Sequence, residues 1–354
     1  MNRTRRDAAR PRRGAAVALV ALAAVALSLA LTLPGCRKPG REVAGATTAE
    51  AHTTAMSPGN HLDPPALAAA DTVLPGAGAR GVPVLCYHYF RGRIAPGYAL
   101  RVLGSVFFGL PALGPREFWT TPVAEFERHL RRLRDAGCRV VTLDEVADLV
   151  AAGAPLPANA VVLTIDDADR SVYEHAFPLL RRYGMKAHLF VPTAHVGRSW
   201  SGLRVCTPAQ LKEMADSGLV LLESHTHDLH YKVPDGGTRT PVFLQPGRLK
   251  APVTHDDAAL AAFPPPLAGV ADDLLSSREA IARLGPRPAR WLAWPYGFGS
   301  PALDDVARSA GFRGTVNLSP RDFGAADRSL CAGRYALTAH STMARFEAVA
   351  GLAP

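Results

Sequence analysis

From residue 82 to residue 317 the sequence alternates short, near-continuous apolar runs with amphipathic stretches, and this alternation limits the possible folds more than any other feature. The apolar runs are "VPVLCY" (82–87), "RVVTL" (139–143), "AVVLTI" (160–165), "KAHLFV" (186–191), "LVLLE" (219–223), "RWLAW" (290–294) and "FRGTVN" (312–317). Helical periodicity fills the intervals near 122–136, 144–152, 171–183, 207–217, 270–284 and 301–310. Near-continuous apolar strands separated by helices are parallel strands covered on the outside. The expectation is an α/β fold: a (β/α) barrel of about seven parallel strands, distorted or incomplete, made by a single domain over 81–354. An open doubly wound sheet is the competing topology.

Two interruptions, at about 91–118 and 231–266, are long for a compact domain and read as lids or grooves. Both follow the C-terminal end of a strand, where barrel enzymes keep their active sites.

The formal charge of +9 suggests a polyanionic partner until its location is considered. Residues 1–35 carry six Arg and one acid, which leaves 34 basic and 30 acidic residues for the rest. With no basic stripe and no interleaved aromatics, nucleic acid is not an expected partner. The front segment is "MNRTRRDAARPRR", then an uncharged run from Ala15 to Leu33, then "PGC", the order of an export signal. "LPGC" resembles a bacterial lipobox, which makes residues 1–36 a signal peptide and Cys36 the site of lipidation. A retained apolar transmembrane anchor is the alternative. Residues 37–80, rich in Ala, Thr, Pro and Gly, read as a flexible linker. The expected address is the cell envelope, at the outer membrane or the periplasmic face. Cys86, Cys138, Cys206 and Cys331 are widely spread with no CxxC pair, so they read as free thiols, not as a zinc site.

What the strands deliver at their C-terminal ends decides the function. "AVVLTI" ends in Asp166-Asp167, "LVLLE" leads into Ser224 and His225 within "SHTHDLH", "RWLAW" ends in Pro295-Tyr296-Gly297, and "VPVLCY" ends in His88. If the strands are parallel these groups meet on one rim. Two His and one Asp suit Zn²⁺, Fe²⁺, Co²⁺ or Ni²⁺ and leave positions for water and substrate. A carboxylate beside such an ion favours hydrolysis of a carbonyl or phosphoryl bond. Against this, an Asp in a pair of this kind often N-caps the following helix, and a loop His is most often a surface residue. His227, two residues after His225, is set aside as a ligand.

"LTIDDAD", "SHTHDLH" and "WPYG", in that order and spacing, resemble the polysaccharide deacetylases (NodB-homology domain, carbohydrate esterase family 4). "VPVLCYH", "FPLLRRYGMKAHLFV", "LKEMADSGLVLLESHTHDLH" and "LAWPYGFGS" are most similar to the branch that removes acetyl groups from poly-β-1,6-N-acetyl-D-glucosamine in biofilm matrix. The resemblance runs from about Val82 onward. It implies one divalent metal ion held by Asp167, His225 and His230, with Asp166 as general base. It implies further that the backbone N–H of Tyr296 helps to stabilise the oxyanion, and that His88 protonates the departing amine. His340, in "LTAH", is the second choice for that acid. Trp294 is taken as the aromatic face for a sugar, in preference to Trp119 and Trp200.

Two positions depart from the first motif of the family, Thr-Phe-Asp-Asp-Gly: Ile165 stands for Phe and Ala168 for Gly. The first changes core packing only. The second matters if the backbone there needs positive φ. Peptidoglycan, chitin oligomers or another acetylated glycan are alternative substrates, and a glycan-binding lipoprotein without catalysis is the alternative of another class.

Overall fold

The computed structural model describes residues 81–92, 115–250, 254–327 and 329–352, all within the unit Ser57–Pro354. The expected signal peptide, Cys36, the linker up to residue 80 and most of the 91–118 interruption lie outside the described residues. Among the described residues no helix is long and apolar enough to cross a membrane.

One parallel sheet organises the domain. Its strands are β1 (Val84–Tyr87), β2 (Arg139–Val140), β3 (Ala160–Ile165), β4 (Ala187–Val191), β5 (Val220–Ser224), β6 (Trp291–Ala293), β7 (Gly314–Val316), β8 (Cys331–Ala332) and β9 (Tyr335–Ala336). The order across the sheet is β8-β7-β6-β5-β4-β3-β1-β9, and the short β2 pairs with the start of β3. From β3 to β8 the strands are laid side by side in one direction, whereas a doubly wound sheet reverses partway. The architecture is therefore a curled half-barrel, and the seven expected strands are all present. β8 and β9 were not foreseen. They form the two edges of the sheet, yet only Gly333 and Arg334 separate them. So short a link spans at most about 11 Å, so the sheet has to curl until its edges face each other.

Strand periodicity sorts the side chains into two sets. Leu85, Tyr87, Val161, Leu163, Ile165, Leu189, Val191, Leu222, Leu292 and Trp294 point outward into the main core. There they meet α1 (Val123–Asp135), α3 (Phe177–Tyr183), α4 (Pro208–Asp216), α5 (Ala268–Leu284), α6 (Pro301–Ser309) and α7 (Met343–Val349). Val84, Val162, Phe190, Trp291, Ala293 and Val316 point inward, into a second core completed by Leu143, Val146 and Val150 of α2 (Leu143–Ala152). A capping box of Thr142 and Glu145 starts α2, and its first N–H donates to the buried His188 Nε2 at 2.9 Å. Glu223, fully buried, accepts from Arg287 and from the backbone N–H groups of Arg290 and Trp291, and meets His188 Nδ1 at 3.2 Å. That network ties the start of β6 and the start of α2 to β4 and β5.

Candidate metal centre and acid–base pair

Asp166 and Asp167 follow directly on β3. The Asp166 N–H still pairs with the Tyr87 carbonyl, and the chain then turns sharply, with φ +68° at Asp167 and +48° at Ala168. The turn sends two successive carboxylates into one cavity. Thr226 and Tyr296, in the loops after β5 and β6, also have positive φ, +69° and +61°. Strained backbone of this kind gathers where a site imposes the geometry.

Asp167 meets both histidines. Its Oδ1 lies 3.4 Å from His225 Nε2 and 3.6 Å from His230 Nε2, and that oxygen, though buried, accepts no hydrogen bond. His225 Nδ1 sits 2.7 Å from the Ala293 carbonyl, which makes it the protonated nitrogen and turns the Nε2 lone pair toward Asp167. The loop between the histidines is fastened at several points. Asp273 of α5 accepts from the N–H groups of His227 and Asp228 at 2.7 Å each, Thr226 Oγ1 accepts from Leu229 N, and Ser224 Oγ accepts from Thr226 N. His227 turns away to Thr193; period two alone would have put it on the face of His225, and the positive φ at Thr226 breaks the alternation.

The donor set fits a divalent transition ion. The three ligand atoms lie within 4.8 Å of one another, and two atoms bound to one ion at ordinary Zn–N and Zn–O distances would be about 3.4 Å apart. The orphaned Asp167 Oδ1 is the atom such an ion satisfies. Burial opposes charge on Asp167, but its contacts with His225 and His230 carry the carboxyl well below the usual carboxylate range. Burial pushes His230 down to about 4, so it offers a neutral nitrogen.

Asp166 faces a different set of partners. Arg334, fully buried in the link between β8 and β9, donates to both of its oxygens, at 2.7 and 2.8 Å. Burial again opposes ionisation, and the Arg334 charge outweighs it, so Asp166 is a carboxylate. His88 Nε2 is 4.0 Å from Asp166 Oδ2, and His88 Nδ1 is buried without a hydrogen-bond partner. The His88 ring stacks on Trp119 at 4.1 Å. Cys86, His88 and Asp166 also lie close enough to resemble a ligand set, but the Arg334 guanidinium already neutralises Asp166 and repels a cation. His340 is exposed on the rim, against Phe118.

Trp294 requires a correction. It is fully buried on the outward face beside Leu292, 5.2 Å from Phe243, with its indole N–H on Asp304 of α6. Period two places it under the helices, since Ala293 is the residue that points inward. Trp119, on His88, and Trp200 are the tryptophans at the cavity, both partly exposed; Trp200 stacks on His195 at 4.5 Å and sets its edge against His230 at 4.9 Å. Tyr296 packs on the other side of His230, with Lys232 of the 232–241 hairpin over its ring. Arg334, Tyr89 and Asp273 escaped the sequence reading. Only Tyr89 had a usable signal, as the neighbour of His88 at a strand end.

Comparison with known proteins bears on the family and the fold. The polysaccharide deacetylase family profile matches residues 153–315. The solved structure of IcaB from Ammonifex degensii is 30% identical, with a TM-score of 0.58 over 79% of this chain and 98% of that one. The chain belongs to the polysaccharide deacetylase family. The deacetylase domain of BpsB from Bordetella bronchiseptica, another such fold, is 26% identical, with a TM-score of 0.54 over 74% of this chain and 97% of that one. Curated relatives named poly-β-1,6-N-acetyl-D-glucosamine N-deacetylase occur in Staphylococcus aureus strain MSSA476, 35% identical over 30% of this chain, and in Staphylococcus epidermidis, 29% identical over 49%. The matches span 37% and 52% of those two relatives' own lengths.

Proposed function

We propose that this polysaccharide deacetylase removes N-acetyl groups from an exported polymer, poly-β-1,6-N-acetyl-D-glucosamine in biofilm matrix, with the help of one divalent metal ion. The observation that carries the reading is the buried, unpartnered Asp167 Oδ1 turned to two histidine nitrogens, directly beside a carboxylate that Arg334 keeps charged.

Asp167, His225 and His230 would hold the ion. When bound, it supplies Lewis acidity that polarises the acetyl carbonyl and eases deprotonation of water. Asp166 accepts the proton of the attacking water as the new C–O bond forms, and the Arg334 fork keeps its oxygens aimed while it does so. The backbone N–H of Tyr296 donates to the oxygen on which charge develops. His88 gives a proton to the nitrogen as the C–N bond breaks, because an amine leaves poorly without one. The proton taken by Asp166 returns to His88 across the 4.0 Å between them, which restores both groups. Water and amide become acetate and free amine, and no other reactant is needed.

On the same reading, residues 1–36 export the chain and anchor it through Cys36 or the apolar run, and residues 37–80 tether the enzyme to the envelope. The decisive experiment measures acetate release from the purified polymer. Treatment with a chelator should abolish release, and Zn²⁺, Co²⁺, Ni²⁺ or Fe²⁺ should restore it; Asp167→Ala should be inactive and free of metal. Release that is indifferent to chelation, or an ion-loaded enzyme that deacetylates peptidoglycan or chitin oligomers but not this polymer, would overturn the proposal.

A further inference from the structure

His88 and Tyr89 form a pair of adjacent side chains that meets the adjacent pair Asp166 and Asp167. His88 approaches Asp166, and the Tyr89 hydroxyl donates to Asp167 Oδ2 at 2.6 Å. Tyr89 is 6% exposed and begins a short strand, Tyr89–Arg91, which pairs with Thr120–Pro122. Its neighbour Phe90 donates its N–H to Ser171 Oγ, so the backbone that presents the tyrosine is itself held. A short O–H···O bond to an ionised carboxylate is among the stronger hydrogen bonds, and it fixes the plane of the group that accepts it.

A carboxylate can bind an ion through one oxygen or through both. The Tyr89 hydroxyl occupies one side of Oδ2 and orients the group, while Oδ1 has no hydrogen-bond partner and is the oxygen turned to His225 and His230. We infer that Tyr89 is a positioning residue that makes Asp167 a single-oxygen metal ligand and thereby sets the affinity and ligand field of the ion. The inference rests on the metal reading of Asp167, His225 and His230. It assigns a purpose to a side chain that takes no part in the proton transfers.

The test uses the full chain, freed of metal and titrated with Co²⁺, with binding followed by visible absorbance and by competition with a chromophoric chelator. Tyr89→Phe keeps the ring and removes only the donor. Its Co²⁺ affinity should fall about 10- to 100-fold, the usual effect of removing a hydrogen bond to a metal ligand, and its absorbance bands should shift as the carboxylate turns. Tyr87→Phe is the control, since it deletes another buried hydroxyl whose partner is His129, and it should leave affinity and spectrum unchanged. Melting curves of the ion-free proteins separate loss of fold from loss of ligand orientation. Wild-type affinity and spectrum in Tyr89→Phe, or an equal loss in Tyr87→Phe, sinks the inference while leaving the metal site standing. Wild-type Co²⁺ binding in Asp167→Ala sinks the site itself.

Discussion

Ala168 is fully buried at φ +48°, a backbone state in which a Cβ is strained and glycine is not. Changing Ala168→Gly should therefore raise stability by about 0.5–1 kcal/mol in urea unfolding, less whatever the lost methyl contributed to packing. Arg334 carries a larger effect in the opposite direction. Its removal leaves Asp166 charged, buried and without its counterion, and Arg334→Ala should cost about 3–5 kcal/mol in the same measurement. The carboxylates and the two spaced histidines were legible in the sequence because they stand where apolar runs end. Arg334 was not. It occupies a two-residue link with no periodicity around it, and nothing local says that its side chain turns back 168 residues to Asp166.

At the scale of elements, β1 and β3 to β7 were readable because both of their faces are covered and their runs are therefore apolar, whereas β2, two residues with Arg139 exposed, showed only through the apolar run around it. The two-residue strands β8 and β9 are too short to carry a period, and only their neighbours define them. The misplacement of Trp294 is an error of parity. A strand that ends in Trp-Leu-Ala-Trp offers its rim through the residues after it, and the last tryptophan belongs to the helix-covered side with Leu292. Trp294→Ala should accordingly act on folding, with a loss of about 3–5 kcal/mol, while the folded fraction keeps its KM for the polymer. A raised KM at unchanged stability would return that residue to the substrate cleft. The Asp273 clamp shows how one element serves another: a helix side chain holds two backbone N–H groups of the loop that spaces His225 and His230. The spacing was visible in the sequence; its support was not.

Across the whole molecule, the first and last parts of the domain are joined through His129. This residue of α1 stacks on Phe346 of α7 at 3.9 Å and meets the Tyr87 hydroxyl of β1 at 3.1 Å. Burial, aided by the neighbouring Arg128, pushes its pKa down to about 3, against about 6.5 for a free histidine. The unfolded chain binds the additional proton between those values. Stability is thus complete above about pH 6.5 and declines as the pH falls toward 3. His129→Gln should flatten that part of the curve of unfolding free energy against pH; an unaltered slope would mean that other groups carry it. The crossing of Gly333 and Arg334 between the sheet edges has a consequence in time as well as in space. A ribosome delivers Asp166 long before it delivers Arg334, so during synthesis the carboxylate exists without the guanidinium that is to neutralise it. The catalytic cavity can be assembled only once that arginine is available, which couples competence for chemistry to the arrival of a segment far along the chain from the carboxylate it serves.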